Sequence, residues 1–453
     1  MALSRRDFLY GSLGTAVLGG LAACSSVHSD TNSNGTSSAP ATPSDEGKSA
    51  NIGKVTGELS FAFWGGSTGE TMGFTNAKKN FEAANPGTTI NLKIVPYDGF
   101  FSGIDRGIQA GNAPDIFRVD YTTIGKYSQN GVLLDVSPYF TASEVDQFLP
   151  ALWDAVKYNG TPYGVPHQTD TTCIVYSKKA FETAGITSVP TSLDDAWTWD
   201  EFSSVAKKLR SSLPSNKFPF AYDWTAAGAF RWLSWLYEAG GTLLTSDLTK
   251  CALPSDAGTT ALDYTKSFFT NKWVPANNTI KTSVYSDNFF LNQTVAMTFV
   301  GDFLVPELAD PKTGYKGGDW GATYMPRDKA AAADLGGNAI VALKDTKNPE
   351  LAAAFLKFLV SEDIMKYFCE QAVELPTLKS LAGEKLAYAY RPDVVAVCAQ
   401  QASTISDTIT KESTVGGFAD INTALQNELE LAFHGQSTSA TLGAIATQVN
   451  QAL

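Results

Sequence analysis

Leu59-Ser60-Phe61-Ala62-Phe63-Trp64, the run through Phe81 that stops at Asn85-Pro86-Gly87, and then Ile90-Asn91-Leu92-Lys93-Ile94 decide the fold class. The first six residues form an apolar block of strand length. Asn-Pro-Gly then closes a helix, because proline cannot continue it and glycine accepts the turn. Ile90, Leu92 and Ile94 alternate with polar residues, which is the period of a strand. Outward from this core, Phe101, Ile104 and Ile108 recur at helical spacing up to Gly111 and Pro114, and Ile116-Phe117-Arg118-Val119 gives a third strand. Strand, helix, strand, helix, strand implies a parallel, doubly wound α/β sheet.

A second α/β unit begins near Thr171. Thr172 to Tyr176, Phe218 to Tyr222, Thr294 to Val300 and Ala339 to Leu343 read as strands, the last flanked upstream by Gly336-Gly337-Asn338. Thr198 and Glu201 have capping-box spacing and open a helix with Phe202, Val205, Ala206 and Leu209 on one face. Trp232 and Trp235, beside Leu233 and Leu236, are expected in the core. The last hundred or so residues read as mostly helical.

Arg5-Arg6 ahead of the glycine-rich run Tyr10 to Ala23 resembles a twin-arginine export signal, too short and weakly apolar to span a membrane. Leu21-Ala22-Ala23-Cys24 resembles a lipobox, so residues 1–23 are expected to be a signal and Cys24 the lipidated residue. Residues 24–57, rich in Ser, Thr, Asn, Gly and Pro, are expected to form a flexible tether with a reach of roughly 30 Å. That places the body on the extracellular face of the cell membrane, held by lipid.

The whole chain has 453 residues with Lys+Arg 34 against Asp+Glu 46, a net charge of −12 that disfavours nucleic acid. Three histidines argue against a multi-histidine metal centre. Phosphate-loop, zinc-protease and calcium-loop motifs are missing, so no cofactor and no metal are expected. Cys173, Cys251, Cys369 and Cys398 lack CxxC spacing; three pairings are open, and free buried thiols are expected ahead of disulfides.

Gly65-Gly66-Ser67-Thr68-Gly69 fits the G-x-S-x-G elbow of a hydrolase, with His167 and His434 downstream. It nonetheless ends the first strand, where a Gly/Ser loop also lets a ligand approach the backbone. Ligands of open α/β sheets sit beyond strand ends. The residues there are Trp64, Ser67, Thr68, Tyr97, Asp98, Asp120, His167, Asp170, Trp224, Asp302, Phe303, Gly337 and Asn338. Flat rings (Trp64, Trp224, Phe303) and acceptors or amides (Asp120, Asp170, Asp302, Asn338) suit the apolar face and hydroxyl edges of a sugar. Asp120 could instead cap the following helix, and His167 could be structural. Arg106, Arg118 and Arg231 are not at the predicted strand ends, which favours a neutral ligand.

The ordered set Phe81 to Gly87, Ala110 to Phe117, Gly131 to Asp135, Tyr163-Gly164-Val165-Pro166, Tyr176 to Phe181, Ala184-Gly185-Ile186, Ala296-Met297 with Gly301-Asp302-Phe303, and Asn348 to Ala353 resembles the carbohydrate-binding extracellular solute-binding proteins of ABC importers, relatives of maltose-binding protein. The resemblance implies a two-lobed periplasmic-binding-protein fold with a hinge between discontinuous lobes. By analogy these are 58–168 plus 338–383 and 169–337 plus 384–453. It implies a monomeric, non-enzymatic receptor that binds a mono- or oligosaccharide and delivers it to ABC permease subunits. The alternatives are a same-fold receptor for a non-sugar solute, or a serine hydrolase using Ser67 and His167.

Overall fold

The computed structural model describes residues 52–225 and 227–453. Residues 1–23 with the signal, Cys24 and most of the 24–57 tether lie outside the described residues. The folded body starts earlier than residue 58, however: Val55 is buried in the first core and Gly57 already opens a strand.

Eleven strands are present among the described residues. β1 (Gly57–Phe63), β2 (Thr88–Ile94) and β3 (Ile116–Asp120) precede a short hairpin of β4 (Lys157–Tyr158) and β5 (Thr161–Pro162). β6 (Val165–Asp170), β7 (Thr172–Ser177), β8 (Phe218–Ala221), β9 (Val295–Gly301), β10 (Trp320–Thr323) and β11 (Gly336–Ala342) follow. The first sheet has the order β2-β1-β3-β11-β6 and the second β10-β7-β9-β8. The molecule is two-lobed, with one sheet in each lobe.

Only the sequence-contiguous part of the first sheet is parallel. β1 pairs in parallel with β2 and β3, as the βαβαβ pattern predicts, but β11 runs antiparallel to both β3 and β6. The second sheet is antiparallel at β10–β7 and β7–β9 and parallel only at β8–β9. β11 returns from far along the chain, so local periodicity carries no information about its direction. β11 also begins three residues before the predicted strand, and Gly336, Gly337 and Asn338 are paired residues rather than a flank. A Cβ on Gly337, whose φ is +102°, would stand 2.5 Å from Thr169 Cα, so glycine permits β11 and β6 to approach there.

Helix α1 (Thr68–Ala84) packs against the helix Glu362–Ala372, with Phe74 4.9 Å from Phe368, while Phe81 meets Phe355 and Phe358 of the helix Pro349–Leu359. α2 (Phe100–Ala110) and α3 (Tyr121–Gln129) flank the sheet. The capping box at Thr198 and Glu201 forms as read, with the Glu201 amide donating to Thr198 Oγ1 at 3.2 Å. Trp232 and Trp235 are fully buried. All four described cysteines are free thiols, and Cys251 is only half-buried, unlike the other three.

Candidate functional site

A cavity of about 360 Å³ opens where the ends of the first sheet meet the loops of the second. Of the residues proposed from sequence, Trp64, Tyr97, Asp120, Asp170, Phe303, Gly337 and Asn338 line it. Phe230 and Tyr285 add aromatic wall.

Six proposed residues lie elsewhere; Asp98 is exposed on the turn before α2, and the other five each have a visible reason. Trp224 is fully buried: its indole N–H donates to Asn278 O at 2.9 Å and its ring packs 4.8 Å from that of Phe433. It is core and no platform. His167, 1% exposed, lies nearly parallel to Phe74 at 5.1 Å and against Phe368 at 4.3 Å. Burial, with help from the Arg118 charge, holds its pKa down at about 3, so the ring is neutral. Ser67 is the N-cap of α1, its hydroxyl accepting from the Glu70 amide at 3.2 Å, and Thr68 is the first residue of that helix. No histidine hydrogen-bonds to Ser67 among the described residues, so the elbow motif is a capping box. Asp302 is fully buried just behind the cavity, where its Oδ1 accepts from the Thr171 amide at 3.0 Å.

Asp120 ends β3 and precedes α3 but makes no side-chain cap. Its two oxygens accept instead from Tyr97 Oη and from Asn338 Nδ2, each at 2.7 Å. Asn338 Oδ1 in turn accepts from Gln168 Nε2 at 2.5 Å, so β3, β11 and β6 present one connected polar floor. Gln168 Oε1 is buried with no hydrogen-bond partner among the described residues.

Arg118 and Arg231 line the cavity although neither stands at a predicted strand end. Arg118, 1% exposed, lies with its guanidinium 4.6 Å from the Trp64 ring centroid and donates to Trp64 O at 3.2 Å. It also pairs with Glu70, and with Glu374 at 3.4 Å. Arg231 sits 3.5 Å from Asp334 and 3.9 Å from Asp223, with Phe303 on one side at 5.8 Å. Each cation therefore faces two carboxylates already in place.

Burial pushes the carboxyls up. Asp120 rises to about 6 despite the Tyr97 hydrogen bond and the Arg118 charge. Asp170 rises to about 7, with Arg231 opposing the shift and Asp334 adding to it. Glu307 rises to about 7, and Glu374 lies well above the usual range, with neighbouring Glu70 adding to burial.

Sequence reading missed Arg231, Asp287, Glu307 and Glu374 in this wall. For Arg231 a signal existed: a lone cation between Phe230 and Trp232 is buried only if acids face it. The acids supply no comparable signal: Asp287 and Glu307 come from short helices of the second lobe, and Glu374 follows the helix Glu362–Ala372, away from any strand end.

A family model for bacterial extracellular solute-binding proteins matches residues 65–366, and the chain belongs to that family. Maltodextrin-binding protein MdxE of Bacillus subtilis is 25% identical over 324 residues, 70% of each protein. Among solved structures, maltose-bound MalE3 of T. maritima aligns with a TM-score of 0.74 at 20% identity, covering 87% of this chain and all of that one. The ABC substrate-binding protein of Listeria monocytogenes in complex with cycloalternan aligns at 0.72 and 21%, covering 88% and 99%. These likenesses carry the two-lobed fold.

Proposed function

We propose that this protein is a receptor that binds a neutral sugar, an oligosaccharide first, in the cavity between its lobes and passes it unchanged to an ABC importer permease. The carrying observation is that aromatic faces and hydrogen-bond acceptors from both lobes converge on one cavity, with Trp64, Tyr97 and Asp120 on one side and Phe230, Tyr285 and Phe303 on the other. A sugar that touches both walls binds the closed arrangement better than the open one and shifts the equilibrium by that difference. The maltodextrin and maltose named for the similar proteins support an oligosaccharide. An anionic guest would find both guanidiniums already facing carboxylates.

Lobes of 58–168 plus 338–383 and 169–337 plus 384–453 suit this reading, with the hinge near the β6–β7 and β10–β11 connections. Lipid attachment at Cys24 would hold the receptor on the extracellular face, and a monomer suffices. No bond is broken, which accords with Ser67 serving as a helix cap. Titration calorimetry of the mature chain against a glycan panel tests the reading: at least one glycan binds with a defined stoichiometry. A folded protein that binds none of them refutes it.

A further inference from the structure

The cavity wall that carries Phe230 has little regular structure of its own. β8 ends at Ala221, and the next element is the short 3₁₀ helix Ala229–Trp232, with no strand pairing between the two among the described residues. Ala227, Phe230 and Arg231 of this stretch line the cavity. Two asparagine side chains take the place of sheet partners. At the start of the stretch, Asn278 Oδ1 accepts from the Tyr222 amide at 2.8 Å and Asn278 Nδ2 donates to Tyr222 O at 3.0 Å. Beside the cavity, Asn422 Oδ1 accepts from the Phe230 amide at 2.8 Å and Asn422 Nδ2 donates to Ala227 O at 3.1 Å. A carboxamide has the donor and the acceptor of a peptide group, so it closes two backbone bonds at once where no strand is available.

Asn422 is not itself on the cavity wall. It belongs to the helix Phe418–Phe433, whose fully buried Phe418 meets the Phe230 ring edge-on at 6.3 Å. The same helix packs against α3, the helix that leaves Asp120 on the facing wall. Just ahead of it the chain is pressed onto α3: a Cβ on Gly125 would stand 2.5 Å from Thr414 O. One helix thus braces the Asp120 side of the cavity and holds the Phe230 side.

We propose that Asn422 is a positioning residue for sugar binding: without touching the guest, its amide fixes residues 227–230 so that the Phe230 ring faces the cavity before a sugar arrives. This rests on the sugar-receptor reading and adds to it a residue outside the wall. A segment ordered in advance loses little conformational entropy when the sugar binds, whereas a loose one lowers the affinity by the free energy needed to order it.

Hydrogen exchange of the unliganded mature chain reads the clamp, and calorimetry with the preferred glycan reads its consequence. The variants are Asn422→Ala and the isosteric Asn422→Asp, which keeps the acceptor but sets a carboxylate oxygen against Ala227 O. In both, with thermal unfolding confirming a folded protein, the amides of residues 227–231 are expected to exchange at least ~10-fold faster. Glycan affinity is expected to fall roughly 10-fold. Thr423→Ala, on the exposed side of the same helix, is expected to change neither. In a Phe230→Ala background, Asn422→Ala is expected to weaken binding by no more than ~3-fold further, because the ring it holds is already gone. A merely structural asparagine would lower the unfolding midpoint and leave the folded fraction's affinity alone, so wild-type affinity in both variants overturns the inference and leaves the sugar reading standing. Wild-type exchange rates at 227–231 in both variants overturn the clamp, and an undiminished loss in the Phe230→Ala background overturns positioning through that ring. A folded wild type that binds no glycan overturns the sugar reading, and this inference with it.

Discussion

His167→Phe separates a buried structural histidine from a ligand-binding one. The ring is 1% exposed between Phe74 and Phe368, and neither nitrogen has a hydrogen-bond partner among the described residues. Its pKa falls from 6.5 to about 3, first through burial and then through the Arg118 charge. In the unfolded chain the imidazole takes up a proton near pH 6.5; in the folded protein it stays neutral until about pH 3. The unfolded state therefore binds more protons across that window, so stability present above pH 6.5 is lost as pH falls towards 3. At pH 5, one and a half units below the unfolded pKa, the loss is about 2 kcal/mol. Phenylalanine has no proton to take up. Whatever its packing cost, that cost is nearly the same at every pH, and the carboxyl titrations common to both proteins cancel in the difference. Urea unfolding of the wild type and His167→Phe, followed by circular dichroism at pH 8 and pH 5, is expected to show the variant gaining about 2 kcal/mol relative to wild type at the lower pH. A stability difference unchanged between the two pH values would show that His167 is protonated or solvated in the folded state, and would refute a buried, neutral imidazole.

Arg118→Met should cost ~3–5 kcal/mol at pH 7.5 in the same assay, because it strands Glu70 and Glu374. Adding Glu70→Gln and Glu374→Gln should restore most of that, and no recovery would deny the triad. Phe303→Ala should weaken the preferred glycan by ~1–3 kcal/mol in calorimetry if the ring stacks on it, on the scale known for bases on aromatic side chains; unchanged affinity removes Phe303 from the platform. Trp224→Ala should instead lower stability by ~3–5 kcal/mol while the folded fraction keeps its affinity, since the ring is fully buried away from the cavity. A thiol reagent applied to the native mature chain should label Cys251 first, and the buried Cys173, Cys369 and Cys398 only after denaturation.

The architecture is legible in the sequence wherever it is local. Period-two and helical spacing from Leu59 to Val119 locate β1, α1, β2, α2 and β3, and Thr198 with Glu201 locate a helix start. What escapes is anything decided by distant chain. β11 enters the first sheet antiparallel after more than two hundred intervening residues, and no pattern in Ala339 to Leu343 announces its direction. The same limit divides the site. Trp64 and Asp120 stand at the C-terminal ends of β1 and β3 and reach the cavity, as the strand-end rule requires, and Asn338 joins them from the start of antiparallel β11. Trp224 also follows a strand, yet Asn278 and Phe433 come from elsewhere in the chain to enclose it.

The arginines show why charge read by strand position misses the site's chemistry and yet still disfavours an anionic guest. Arg118 lies within β3 rather than at the strand end, but a guanidinium reaches several ångströms past its own Cα. It emerges beside Trp64, where it covers part of the ring and so narrows the surface left for a guest. Position along a strand locates a backbone, and a long side chain reports its charge elsewhere. What decides whether such a charge is available to a ligand is its partners, and here Glu70, Glu374, Asp223 and Asp334 take both guanidiniums. The surplus that remains on the wall is acidic, which is why the cavity's specificity is expected to turn on what its guest donates.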